Sequence, residues 1–217
     1  VFLRSSRVLR QVELQGYVIA AAKRANVRHI VKRSAIGVGP DSPISLARWH
    51  WQTEKQVEES GIPFTHLRPH FFMQNLLGYA TIKEQSALYG SMKDGKISMV
   101  DVRDIAAVAA RVLTEDIHEG KTYEITGPEA ISYTEVAEKL SAAIGKKVTY
   151  VDVPLEASRK AMLDMGMPEW FANNLTALIA FFSTGGAAFV TNVIADVAKK
   201  QPITFDQFAR DYAEAFK

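Results

Sequence analysis

Ser34, His50, Phe71, Phe72 and Asn75 are the side chains whose types and settings could do chemistry. Ser34 ends a short β-branched run, where a small hydroxyl can hydrogen-bond a flat ring or a carbonyl. Capping the strand end is its plainer use. His50 lies near the start of the following helix, between Trp49 and Trp51 and ahead of Thr53 and Glu54. At that end the helix dipole favours a neutral imidazole, which can hold a sugar hydroxyl or shuttle a proton. Otherwise it merely caps the helix. Phe71 and Phe72 follow His70 at a second strand end, where apolar rings either wall a flat ligand or belong to the core. Asn75, one turn further, offers an amide or a surface group.

Other patterns carry less. Tyr79 and Lys83 match the Tyr-x-x-x-Lys spacing of a phenol–lysine pair, but one such match among seven tyrosines is cheap, and it falls after the second strand. His66 and His70 have the spacing of a helical metal pair, yet Arg68 and Pro69 between them deny the helix, and no metal is expected. Asp101 and Asp104 suit a strand end and a helix N-cap. Gly37-Val38-Gly39 is too short for a dinucleotide fingerprint, and the 217 residues contain no GxGxxG, GxxGxxG or Walker motif.

The elements that must position these residues alternate. A helix is expected over residues 7–25, with Val8, Val12, Val18, Ile19 and Ala22 on its buried side and Asn26 as its stop. His29–Ala35 reads as a strand, 46–60 as a helix closed by Gly61, Pro63–Leu67 as a strand and 72–84 as helical. Ile97–Val102 and Thr122–Thr126 read as strands around an alanine-rich helix over 103–114. Ser132 and Glu135 form a capping box for a helix to Ile144, stopped by Gly145, with a last strand over 148–153. The rest is helical, including a second capping box from Thr204 to Gln207. Strand–helix alternation implies an α/β, Rossmann-like parallel sheet, with ligands beyond the carboxyl ends of its strands. Residues 1–153 are expected to form the sheet domain, interleaved with segments of a second lobe, and 154–217 a mostly helical substrate lobe.

Composition narrows the class. With 47% hydrophobic residues the chain is not disordered, and without cysteine it carries no disulfide scaffold, thiolate zinc site or thiol nucleophile. The apolar stretch from Leu175 to Phe182 is far short of a membrane span, and no signal peptide opens the chain, so no membrane association and a cytoplasmic location are expected. Residues 1–55 hold ten Lys/Arg against three Asp/Glu, a balance of +7 in a protein of net charge +2. These cations are spread singly along helix faces without interleaved aromatics, so no nucleic-acid partner is expected.

Four segments in order, AAKRANVRHIVKRSAIG, HWQTEKQVEESGIPFTHLRPHFFMQNLL, DVRDIAAVAARVLTE and GKTYEITGPEAISYTEVAEKLSAAIGKKV, closely resemble the NmrA-like family of atypical short-chain dehydrogenases/reductases. That family includes type 2 NAD(P)H:quinone oxidoreductases and triphenylmethane reductases. The C-terminal ITFDQFARDYAEAF is similar to the family's last helix. Members of the family begin with a glycine-rich GxxGxxG turn and further crossover units. Val1-Phe2-Leu3 instead resembles a fourth strand, so some 70–80 residues are expected to precede it, and the passage through Ser5-Ser6 looks short of a loop.

The resemblance implies an NAD(P)H-dependent oxidoreductase passing hydride to a flat conjugated acceptor such as a quinone. The other reading is a non-catalytic NADP(H)-binding redox sensor. NADP(H) is the implied cofactor, with NAD(H) as alternative; a small aromatic or quinone-like molecule is the implied substrate, and a homodimer is left open. Carried over residue by residue, Ser34 and Ile36 would line the cofactor cleft, and Phe71, Phe72, Met73, Gln74 and Asn75 would run beside the nicotinamide. His50 stands where aryl-ether reductases of the family place a catalytic lysine, and would place the carboxamide or relay a proton. No Tyr-x-x-x-Lys pair lies on its helix, so proton donation by a tyrosine is not expected.

Overall fold

A computed structural model describes residues 1–4 and 8–217. The Ser5-Ser6 step and the expected helix start at Arg7 lie outside the described residues. Two compact units emerge, each woven from separate stretches of chain.

The first unit comprises Val1–His70, Arg103–Ile125 and Asn192–Gln201. Its sheet is wholly parallel, with β1 (Phe2–Leu3), β2 (Ile30–Arg33), β3 (Phe64–Pro69) and, after the strand of the second unit, β5 (Lys121–Ile125) side by side in that order. Helices α1 (Gln11–Arg24) and α2 (Ser45–Glu59) join the first three strands, and α4 (Val102–Thr114) precedes β5. On one face Leu3, Ile19, Ala22, Ile30, Val57 and Ile62 form an apolar cluster, with Val27 and Phe64 packed on it. Burial of each large member stabilises the fold by roughly 1.5–3 kcal/mol. Because side chains alternate along a strand, Lys32 and Ser34 share the face of Ile30, and His66 and Arg68 the face of Phe64. That face therefore turns from apolar to charged toward the carboxyl ends of the strands.

Helix α1 departs from the expected stripe. Its buried residues are Gln11, Gln15, Ile19 and Ala22, while Val18 is exposed. The strict helical row runs through the two glutamines, which are buried up to their amide groups. Asn26 does stop the helix, in a left-handed conformation at φ 51°.

The second unit comprises Phe71–Val102, Thr126–Thr191 and Pro202–Lys217. It holds α3 (Ala80–Gln85), α5 (Tyr133–Ile144), α6 (Leu155–Asp164), α7 (Glu169–Ser183), α9 (Phe205–Asp211) and α10 (Ala213–Phe216); α8 (Val193–Ala198) belongs to the first unit. Its β4 (Ala87–Gly90) and β6 (Thr149–Asp152) form a separate parallel pair. Strand β4 was not expected from the sequence, whereas Ile97–Val102 was. That segment instead makes single bridges, Ile97 to Ile131 and Val100 to Phe72, so its buried residues form an extended connector without a ladder. The helical run expected over 72–84 is broken into a 3-10 turn, Met73–Gly78, and α3. The Ser132–Glu135 capping box forms as read, and Gly145 ends α5 at φ 70°. Only half of the Thr204 box forms. The Thr204 hydroxyl accepts from Gln207 N at 3.2 Å, but the Gln207 side chain donates to Asp211 and accepts from Arg210. All described elements after Pro154 are helical. No helix among the described residues is long and apolar enough to cross a membrane.

Candidate functional site

In the first unit the polar end of the sheet meets one face of α2. His50, Glu54 and Glu58 recur every fourth residue and so line a single helical row. Each meets a basic or imidazole group from the sheet. Lys32 Nζ lies 3.1 Å from His50 Nδ1, and Arg68 Nε and Nη2 donate to Glu54 Oε1 and Oε2 at 3.1 and 2.6 Å. His66 Nε2 lies 3.3 Å from Glu58 Oε1. Lys32 and His66 are register partners across the β2–β3 ladder. The result is a buried polar layer between sheet and helix.

Burial and pairing set the charges of this layer. Burial, and to a lesser degree the nearby Arg33, push the Lys32 ammonium down to about 7, and Glu54 only partly opposes this. Burial would raise Glu54, but hydrogen bonds from Arg68 and the Ser34 hydroxyl's proximity outweigh it and hold the carboxyl below its usual range. Burial also lowers His66, against the attraction of Glu54 and Glu58. Glu54, Glu58 and His66 bring ligand-type atoms within 4.8 Å of one another. Arg68 and Lys55 already pair with the two carboxylates, so the cluster is an ion-pair layer and not a cation cage.

Ser34 follows β2, and its amide continues the ladder by donating to Leu67 O at 2.7 Å. Its hydroxyl is fully buried. It stands near enough to Glu54 to lower that carboxyl, yet closes no hydrogen bond of ordinary geometry. Buried polar atoms are nearly always paired, so an unpaired hydroxyl at a strand's carboxyl end is a place for a ligand or a water. Ile36 is partly buried, and its amide donates to Pro69 O at 3.3 Å, tying the loop after β2 to the end of β3. His50 sits in the second turn of α2 and is 7% exposed. Its setting is therefore governed by Lys32 more than by the helix dipole, which fades after the first turn.

Phe71–Asn75 belong to the second unit. Phe71 packs edge-on against Phe182 at 5.9 Å between ring centroids. Val100 N donates to Phe71 O at 2.9 Å and Met73 N to Val100 O at 3.0 Å, which pins the segment to the connector. Met73 is fully buried, whereas Phe72, Gln74 and Asn75 are partly buried. Gln74 Oε1 accepts from the amide of Val102, the first residue of α4, at 3.0 Å, leaving a buried Nε2 donor without a partner. The tyrosine of the Tyr-x-x-x-Lys match, Tyr79, is partly buried and hydrogen-bonded to Tyr133, and burial raises both phenols. His70 is buried at the end of β3, where its amide donates to Ile125 O at 2.8 Å.

Lys32 escaped the sequence reading. In HIVKRSA it looks like one solvent-facing cation of an alternating strand, and only the position of α2 reveals its burial. A lysine sharing a strand face with Ile30 and Ser34 was the available signal.

The chain is similar to known proteins along most of its length. The model of the NmrA-like family matches residues 1–209. An NAD(P)H azoreductase from Xenophilus azovorans is 43% identical over 217 residues, all of this chain and 76% of the relative. The crystal structure of an NADPH-dependent quinone oxidoreductase from Escherichia coli, complexed with NADPH, superposes with a TM-score of 0.86 at 32% identity, covering 95% of this chain and 73% of that one. The triphenylmethane reductase of Citrobacter sp., complexed with NADP(H), gives 0.83 at 27% identity over 98% and 75%.

Proposed function

The chain belongs to the NmrA-like family, and from that premise we propose that it is an NAD(P)H-dependent oxidoreductase acting on flat conjugated acceptors, quinones or azo compounds. The observation that carries the reading is the fully buried, unpaired Ser34 hydroxyl at the carboxyl end of a parallel strand, next to the Lys32–His50 pair. Open parallel sheets bind their ligands beyond those ends. The unpaired Gln74 Nε2 in the second unit is another donor suited to a polar ligand.

When bound, the dinucleotide supplies the hydride, and the protein contributes orientation and a water-poor setting. NADP(H) is the proposed cofactor, with NAD(H) as the alternative. Ser34 and Ile36 in the first unit, and Phe71, Phe72, Met73, Gln74 and Asn75 in the second, are the residues proposed to hold it. The rings of Phe71 and Phe72 are assigned to the flat partner, and His50 to placing the carboxamide or returning a proton to the reduced acceptor. A reduced quinone is already stable as its anion, so this proton transfer need supply only a modest acceleration. The proposed setting is the cytoplasm, where reduced nicotinamide cofactors are maintained.

The test is NADPH binding by fluorescence, followed by steady NADPH oxidation at 340 nm with quinones and azo dyes. Turnover that falls at least tenfold in Ser34→Ala supports the reading. Binding without turnover across the acceptor panel assigns the chain to redox sensing, and absence of binding overturns the cofactor assignment.

A further inference from the structure

Lys32 is fully buried, and its ammonium has two acceptors, Arg33 O at 3.0 Å and His50 Nδ1 at 3.1 Å. An ammonium has only protons to give, so the nitrogen it addresses must carry a lone pair. A neutral imidazole with its lone pair at Nδ1 has its proton on Nε2. We propose that Lys32 is the positioning residue for His50, holding the ring in the Nε2–H tautomer so that it presents a donor at that nitrogen.

The charges around Lys32 make this arrangement responsive. Arg33 lies beside it on β2, His50 and Glu54 face it from α2, and His66 and Arg68 share the β3 face; β1 contributes only Leu3 as register partner. Arg68 already neutralises Glu54 through two hydrogen bonds, so the principal anion of the layer is engaged elsewhere. Burial then leaves the Lys32 ammonium poised near neutral pH, at about 7. Once deprotonated, the amine becomes an acceptor and favours a proton on Nδ1 instead.

The functional consequence rests on the oxidoreductase reading, whereas the tautomer does not. After hydride transfer to a quinone, the hydroquinone anion takes the proton from His50 Nε2. The Nε2–H bond breaks and an O–H bond forms. His50 Nδ1 takes a proton from Lys32 Nζ, so the ring stays neutral and changes tautomer. The charge balances, since an ammonium and an anion become an amine and a neutral hydroquinone. Lys32 then regains its proton from solvent.

The experiment is long-range proton–nitrogen correlation NMR on the full chain with ¹⁵N-labelled histidine, the His50 signal being identified by its loss in His50→Gln. At pH 6 the wild-type ring is expected in the Nε2–H form, shifting toward Nδ1–H as pH rises through about 7–8. Lys32→Met should abolish that preference, and Lys32→Arg should restore it without the shift. A wild-type ring in the Nδ1–H form at pH 6, or one unaltered by Lys32→Met, overturns the proposal. The wild-type titration decides the matter even if a variant does not fold. In NADPH oxidation, kcat should fall about tenfold or more in Lys32→Met, with KM little changed. The wild-type loss of kcat above about pH 7 should be absent in Lys32→Arg. The expected tautomer without any NADPH oxidation would overturn the oxidoreductase reading and leave the positioning role standing.

Discussion

Arg68 reaches from β3 to α2 and closes two parallel hydrogen bonds on Glu54, a carboxylate that is 1% exposed. The forked guanidinium matches the carboxylate, so the contact fixes an orientation as well as a distance. Removing one partner of such a pair leaves a buried charge uncompensated. Arg68→Met is therefore expected to cost about 3–5 kcal/mol in urea denaturation at pH 7, and the double variant Glu54→Leu, Arg68→Met much less.

The same pair sets a dependence on acid. Glu54 is held below its usual range in the fold, so its contribution is present above the ordinary carboxylate pKa and is lost as pH falls through the folded value. In Arg68→Met burial acts largely unopposed and raises the carboxyl. The sign then reverses, and the variant should lose stability as pH rises through that higher value. Melts of both proteins between pH 4 and 8 should diverge with increasing pH.

Lys32 gives a second linkage of opposite chemistry. Its ammonium is lowered to about 7 from 10.5, so between those values the unfolded chain binds more protons than the folded one. Stability must therefore rise with pH across that window, by a few kcal/mol in total. Below about pH 7 the full cost of the buried charge is present. Lys32→Met should remove the rise, so its stability relative to wild type is most favourable near pH 6 and declines toward pH 10.

The features legible in the sequence are those written locally. The Ser132 capping box and the Gly145 stop follow from neighbouring residues, and so do the existence of β2 and β3, each of which ends two residues away from its expected end. What escaped depends on the third dimension. Lys32 and His50 are 18 positions apart and meet only because β2 and α2 stack. Val18 and Gln15 exchange roles because the face of α1 is chosen by the sheet beneath it. Ile97–Val102 has strand-like residues but no continuous neighbour to pair with. Ser34 and Phe71–Asn75 stand out in the sequence because they follow strand ends or match family segments. The unpaired Ser34 hydroxyl and the half-paired Gln74 amide required atomic positions.

Gly127 is a point where the second unit tolerates no side chain. Its amide donates to Ser98 O at 3.1 Å, and a Cβ placed there would fall onto the carbonyl oxygen of Met99. The obstruction is backbone, so the connector itself would have to move, and it is Val100 of that connector that pins Phe71 and Met73. Gly127→Ala is expected to lower stability by about 1–3 kcal/mol. Weakened NADPH binding should accompany the lowered melting temperature.

Gln74 carries one paired and one unpaired group within a single amide. Its Oε1 accepts from Val102 N, one of the orphan amides at the start of α4, while its Nε2 is buried without a partner. Gln74→Leu removes both groups and should cost about 1 kcal/mol, as loss of a helix cap does. Gln74→Glu keeps an acceptor at the helix start, where the dipole favours its added negative charge, and replaces the donor with a second carboxylate oxygen. Thermal melts of Gln74→Glu should therefore match wild type or exceed it slightly. If Nε2 serves the dinucleotide, fluorescence titration should show NADPH affinity reduced about tenfold in both variants, as expected for losing a hydrogen bond worth about 1.4 kcal/mol. Unchanged affinity in Gln74→Glu, with the melt preserved, would confine Gln74 to capping α4 and remove it from the binding residues.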